Sequence, residues 1–129
     1  MDYFNSKTIH GTTLAAIRPK VEEALKKEGF GILTEIDLQA VMKKKLDKHY
    51  LPHLILGTCN PIYADKVLSI EPSISTMLLC NVILRELENG AVIIAIIDPS
   101  VAMAAVGNAA LKTAAKEVQQ KLMTVLKNI

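Results

Sequence analysis

The sequence predicts an α+β domain in which helices pack on a mainly antiparallel sheet of about five strands. Two observations carry that prediction. Residues 77–87 and 91–98 are apolar runs set on either side of Glu88-Asn89-Gly90, and Asn-Gly between apolar runs marks a β-hairpin. Around this strand-rich middle, apolar residues recur at helical spacing: Leu14, Ile17, Val21 and Leu25 before it, Leu111, Ala115, Val118, Leu122 and Val125 after it. The 129 residues suffice for one domain with a real core, and no repeat, low-complexity tract or linker divides residues 1–129.

Along the chain, residues 5–10 read as a first strand. Thr12 and Thr13 can cap the first helix, and Pro19 either kinks it or moves its start to about residue 18. Gly29 stops it, with Phe30 supplying the apolar contact that follows a glycine cap. Two-residue alternation then puts Phe30, Ile32, Thr34 and Ile36 on one strand face and Glu35 and Asp37 on the other, with Leu33 breaking the polar side. Asp37 can cap a short helix in which Leu38, Val41, Met42 and Leu46 share a face. Residues 49–53 form a loop containing Pro52.

Leu54, Ile55 and Leu56 form an apolar run expected of a strand buried on both faces, which Gly57 ends through its backbone freedom. Asn60 is a good N-cap and Pro61 suits the first helical position, with Ile62, Val67, Leu68 and Ile70 following. Glu71-Pro72-Ser73 turns the chain into the hairpin. Residues 91–97 lack polar alternation and are predicted to form a central strand covered on both faces. After Asp98-Pro99-Ser100, residues 101–106 make a short helix or packed loop, and Asn108 caps the last helix.

Half of the residues are hydrophobic, aromatics are 4% and tryptophan is absent, so the core is aliphatic. The mean hydropathy of +0.28 is high for a soluble monomer, and the surplus apolar surface points to burial by a second copy in a homodimer. A net charge of +2 is too small for a nucleic-acid footprint. Lys43-Lys44-Lys45 with Lys48 lacks aromatics for base stacking and reads as a solvated helix face. No apolar stretch approaches the ~20 residues of a membrane span, and no basic region precedes an apolar one at the N-terminus. The expectation is a cytoplasmic protein with neither nucleic acid nor membrane as partner, and with Cys59 and Cys80 as free thiols.

Cys59 falls just outside a helix N-terminus, whose partial positive charge favours a thiolate. Cysteine also packs readily as a small buried hydrophobe, so both readings stand. Cys80 and Asn81 are adjacent and face opposite sides of their strand. Asn81 is either a hydrogen-bonded core asparagine or a ligand contact. His53 lies about 20 Å from Cys59 along an extended strand at ~3.3 Å per residue, too far to act as its base. Cys-x-x-Cys and zinc-finger spacings, a catalytic triad, a phosphate-binding glycine loop and a dinucleotide fingerprint are all missing, so no metal and no particular cofactor is indicated.

The stretches 29–37 (GFGILTEID), 56–61 (LGTCNP), 78–82 (LLCNV) and 97–99 (IDP) together resemble the domain-of-unknown-function family DUF302 over essentially the whole chain. Where that family often has a proline before the second Cys-Asn, this chain has Leu79. The resemblance implies a small cytoplasmic-type α+β domain similar to the TATA-binding-protein-like half-fold, dimers, no established activity and an unknown cofactor. Matched residue by residue, it makes Asp37, Cys59, Asn60, Pro61, Cys80, Asn81, Asp98 and Pro99 site candidates. The leading expectation is a homodimeric module binding a small ligand or anion around Cys59-Asn60-Pro61, where a helix start presents free amides. The alternatives are a redox or sulfur/acyl-handling enzyme using Cys59 or Cys80, and a protein-interaction scaffold.

Overall fold

The computed structural model describes residues 2–129. The elements run β1 (Phe4–Ile9), α1 (Leu14–Lys27), β2 (Gly31–Asp37), α2 (Leu38–Leu46), β3 (His53–Cys59), α3 (Pro61–Ile70), β4 (Cys80–Glu86), β5 (Val92–Ile97), α4 (Pro99–Ala102) and α5 (Ala109–Lys127). Short 3₁₀ turns occupy Pro72–Met77 and Ala104–Val106. The five strands form one antiparallel sheet in the order β1-β5-β4-β3-β2. This is the α+β architecture that the hairpin and the flanking helical stripes predicted.

Each helix has a local reason to start where it does. Thr13 Oγ1 accepts from the Ala16 amide at 3.1 Å, so α1 begins at Leu14 and not near residue 18. Pro19 lies inside it and removes one backbone donor. Burial of the whole stripe Leu14, Ile17, Val21 and Leu25 outweighs that loss, at ~1.5–3 kcal/mol per large aliphatic side chain. The helix ends in a Schellman motif, with Phe30 N–H on Leu25 C=O (2.9 Å) and Gly29 N–H on Lys26 C=O (3.0 Å). Gly29 takes φ +87° and Phe30 turns into the core. Asp37, Asn60 and Asn108 all cap as read from the sequence. The stripes of the two middle helices are not fully buried: no residue of α2 is buried, and of Ile62, Val67, Leu68 and Ile70 only Val67 is.

One face of the sheet carries the core. Leu56, Val82, Leu84, Ile94 and Ile96 pack there against Leu14, Ile17, Val21 and Leu25 of α1 and Val118, Leu122 and Val125 of α5. A second cluster of Val67, Ile74, Met103, Leu111, Ala114 and Ala115 joins α3, α4 and the first half of α5. Lys7, on the core side of edge strand β1, reaches the C-terminal end of α5 and donates to the Ile129 carbonyl at 2.5 Å.

The opposite face is different. The helices packed on β1, β4 and β5 are α1 and α5, both on the core side. A row of opposed residues, Ser6, Ala95, Ile83, Ile55 and Ile36, crosses all five strands on the bare side. The strand at residues 91–97 is central, but it is covered on one face only. Likewise Leu56 is buried while Leu54 and Ile55 are half-exposed. An apolar run without alternation can therefore mark a sheet whose outer face is also apolar, as well as a sheet buried twice.

Two further corrections concern β2 and β3. The register skips at Leu33, where Ile32 pairs with Thr58 but Thr34 pairs with Gly57. This bulge reverses the alternation, so Ile32 joins the core while Thr34 and Ile36 fall on the bare face. Glu35 is thereby turned toward α1, where Arg18 bridges Glu35 (2.7 Å) and Glu22 (2.6 Å). Gly57 does not end its strand; it sits within β3, paired with Thr34 and Asn81. Its role is close approach, since a Cβ there would meet Thr34 Oγ1 at 2.2 Å and Leu79 Cδ1 at 3.1 Å. The strand predicted at residues 77–87 is also shorter, because Pro72–Met77 winds into a 3₁₀ turn and β4 starts at Cys80.

Gly57→Ala is expected to lower unfolding stability by about 1–3 kcal/mol through overpacking. Adding Thr34→Ala, which removes the clashing hydroxyl, recovers most of the loss. Urea denaturation of the two single variants and the double variant measures this, and purely additive losses would refute the steric account.

Candidate functional site

The Cys59-Asn60-Pro61 corner is built by β3 running into α3. Pro61 occupies the first helical turn, and Asn60 Oδ1 accepts from the Ile62 amide at 3.2 Å. The other half of the Asn60 amide donates to the Glu28 carbonyl at the end of α1, also at 3.2 Å. Asn60 is 7% exposed and clamps the end of one helix to the start of another. Gly29 makes room for it, because a Cβ there would lie 3.0 Å from Asn60 Nδ2.

The helix start therefore offers few free donors. Pro61 has no amide hydrogen, Ile62 is held by Asn60, and Ala64 N–H bonds the Asn60 carbonyl at 2.9 Å. Among the described residues, that first turn keeps only the Tyr63 amide without such a bond.

Cys59 is half-buried and Cys80 is buried; both are free thiols. Together with Asn60, Tyr63, Pro99 and Met103 they line a hollow of ≈ 30 Å³, room for about one water. Burial pushes the Cys59 thiol up from its ordinary value. Cys80 is pushed up to about 11, first by burial and then by the neighbouring Cys59. The helix end was expected to favour a thiolate; desolvation wins instead, and both sulfurs are held as neutral thiols near pH 7.

The remaining candidates separate. Pro99 reaches the thiol hollow, and Asp98 caps α4 by accepting from Ser100 N (2.9 Å), Ser100 Oγ (2.5 Å) and Val101 N (3.4 Å). Asp37 caps α2 and pairs with Leu54, five positions along β3 from Cys59, or ~16 Å at ~3.3 Å per residue. His53 pairs with Arg85 at that same far end, its pKa lowered by burial and by Arg85. Asn81 is exposed on the bare face, neither core nor thiol site.

Asn81 instead borders a groove of ≈ 480 Å³ on that face, shared with Tyr3, Phe4, Ser6, Ile83, Arg85, Ile93, Ala95 and Ile97. Its floor is low because Ser6 and Ala95 are small and stand opposite one another across β1 and β5. Phe4 with Ile97 and Ile93 with Arg85 form the higher rows on either side. The sequence holds one signal for it: Asn81, Ile83 and Arg85 alternate with the core residues Val82 and Leu84. Ser6 and Ala95 gave none, since their meeting depends on the β1–β5 pairing. Among the described residues no cluster of three histidine, cysteine or acidic side chains could hold a metal, and no helix is long and apolar enough to cross a membrane.

Two outcomes test this corner. Asn60→Asp keeps the cap acceptor but faces the Glu28 carbonyl without a donor, and is expected to cost about 1–3 kcal/mol in urea denaturation. For the thiol, the folded-state value of Cys80 lies above its ordinary 9.0, so the associated stability is intact below pH 9 and is lost as pH rises toward 11. The wild type is expected to lose on the order of 2 kcal/mol more over that window than Cys80→Ala. Equal pH slopes would contradict the buried-thiol account.

The model of the family described as "Domain of unknown function DUF302" matches residues 5–129. The chain is similar to the crystal structure of an uncharacterized conserved DUF302 protein from Bacillus stearothermophilus, with 26% identity and a TM-score of 0.88 over 98% of this chain and 97% of that one. No curated protein matches it in sequence.

Proposed function

The chain belongs to the DUF302 family, and we propose that it works as a small-ligand-binding module whose ligand lies in the groove on the bare face of the sheet. The apolar lining of the groove carries this reading: it offers ≈ 480 Å³, within the range of small-molecule sites, with Arg85 as its one charged residue, against ≈ 30 Å³ beside the two thiols. A hollow of ≈ 580 Å³ outside Asn60 and Pro61 is bordered instead by Glu28, Lys66 and Lys121, charges of both signs. The polar atoms of Asn60 and Asp98, which the sequence offered as ligand contacts, are already engaged within the fold. Neutral thiols, one half-buried and one buried, also argue against thiol catalysis as the primary role.

A second reading, the homodimer, rests on the apolar row Ala95, Ile83, Ile55 and Ile36, which a second copy could cover face to face. The two readings separate in one pair of measurements. The neutral apolar fluorophore N-phenyl-1-naphthylamine is expected to brighten with the wild type and not with Ala95→Phe, whose ring fills the groove floor. Light scattering at micromolar concentration reads the mass. Twice 14.1 kDa with no brightening would favour the dimer through this face and overturn the ligand reading.

A further inference from the structure

Resting on that reading, we infer that the groove takes an aliphatic monocarboxylate, its chain over Ala95 and Ser6 and its carboxylate on the guanidinium of Arg85. Arg85 is the one charged residue of the groove lining. Among the described residues its side chain enters no hydrogen bond or ion pair. Its cross-strand neighbours are Ile93 and His53, neither of them acidic. The adjacent acid, Glu86, points to the other side of the sheet, where its carboxylate accepts from the Leu14 amide at 3.3 Å.

An unpaired arginine on an apolar floor gives the site a sign. A guanidinium forks onto a carboxylate with two parallel hydrogen bonds, and such charged bonds are about twice as strong as neutral ones. The rest of the groove complements an alkyl chain: Phe4 and Ile97 on one wall, Ile93 on the other, and Ser6, Ala95 and Ile83 beneath. Asn81 and Arg85 stand four positions apart along β4, so the two flanking rows lie ~13 Å apart at ~3.3 Å per residue. Between them the floor runs across β1, β5 and β4 through Ser6, Ala95 and Ile83, about 10 Å at ~4.8 Å per strand, which suits a medium-chain acid. A short anion such as acetate would meet Arg85 but leave the floor bare, and a neutral alcohol would cover the floor but leave Arg85 unpaired.

The test is a titration of the ¹⁵N-labelled full chain with octanoate, 1-octanol, octylamine and acetate. Octanoate is expected to shift the amides of Ile83, Ile93 and Ala95, with octanol weaker by about tenfold or more and octylamine and acetate weaker still. Arg85→Gln is expected to remove the preference for octanoate over octanol while octanol binding stays unchanged. Equal binding of octanoate and octanol, both abolished by Ala95→Phe, would leave the groove reading standing and overturn the carboxylate. Octanoate shifts confined to Lys66 of α3 and Lys121 of α5, which border the hollow outside Asn60, would overturn it as well. No response to any probe, with this face protected in a dimer, would overturn both.

Discussion

Coverage is the constraint on which this structure depends. A five-stranded sheet has two faces, and the chain supplies two long, amphipathic helices. Both α1 and α5 go to the same face, because the stripe of each can be buried in full only against Leu56, Val82, Leu84, Ile94 and Ile96 together. Over β1, β4 and β5 the other face carries no helix, while α2 lies against β2 and β3. The residues of that face are nevertheless apolar at Ile36, Ile55, Ile83 and Ile93, where a one-sided sheet usually alternates to polar. A surface that breaks the rule for its position is where a partner or ligand is to be sought.

Much of the architecture was legible in the sequence because it rests on local chemistry. Thr13, Asp37, Asn60 and Asn108 each cap the helix their side chains suggest, and Gly29 with Phe30 closes α1. The hairpin at Asn89-Gly90 follows from turn preference alone. What could not be read depends on pairing. The bulge at Leu33 is set by how β2 aligns with β3, and a single slipped residue moved Thr34 and Ile36 to the opposite face. Gly57 looked like a strand terminator because the hydroxyl of Thr34 that it makes way for is far away in the chain.

The candidate site shows the same division. Asn60 was found for the right reason, yet its second hydrogen bond, to Glu28, belongs to the tertiary structure and turns a ligand candidate into a clamp. Cys59 and Cys80 do meet at one hollow, as adjacent strands allow. Their protonation followed burial instead of the helix end, since a partial charge on an exposed turn is a weaker influence than loss of water around the sulfur. The groove beside Arg85 was not legible because nothing in the sequence says that its strand neighbours on that face are unaccompanied.

The treatment of the sheet's two margins bears on how copies of this protein can associate. At one margin β2 is distorted by its bulge, and at the other β1 turns the charged side chain of Lys7 inward to α5. Both are devices by which proteins keep a strand from recruiting another along its open hydrogen-bonding rim. Growth of a continuous ribbon, and the fibrous aggregation that follows from it, is hindered at each end. Whatever self-association this chain undergoes is thus steered toward stacking of surfaces, which closes after two copies, and away from lateral extension, which need not stop.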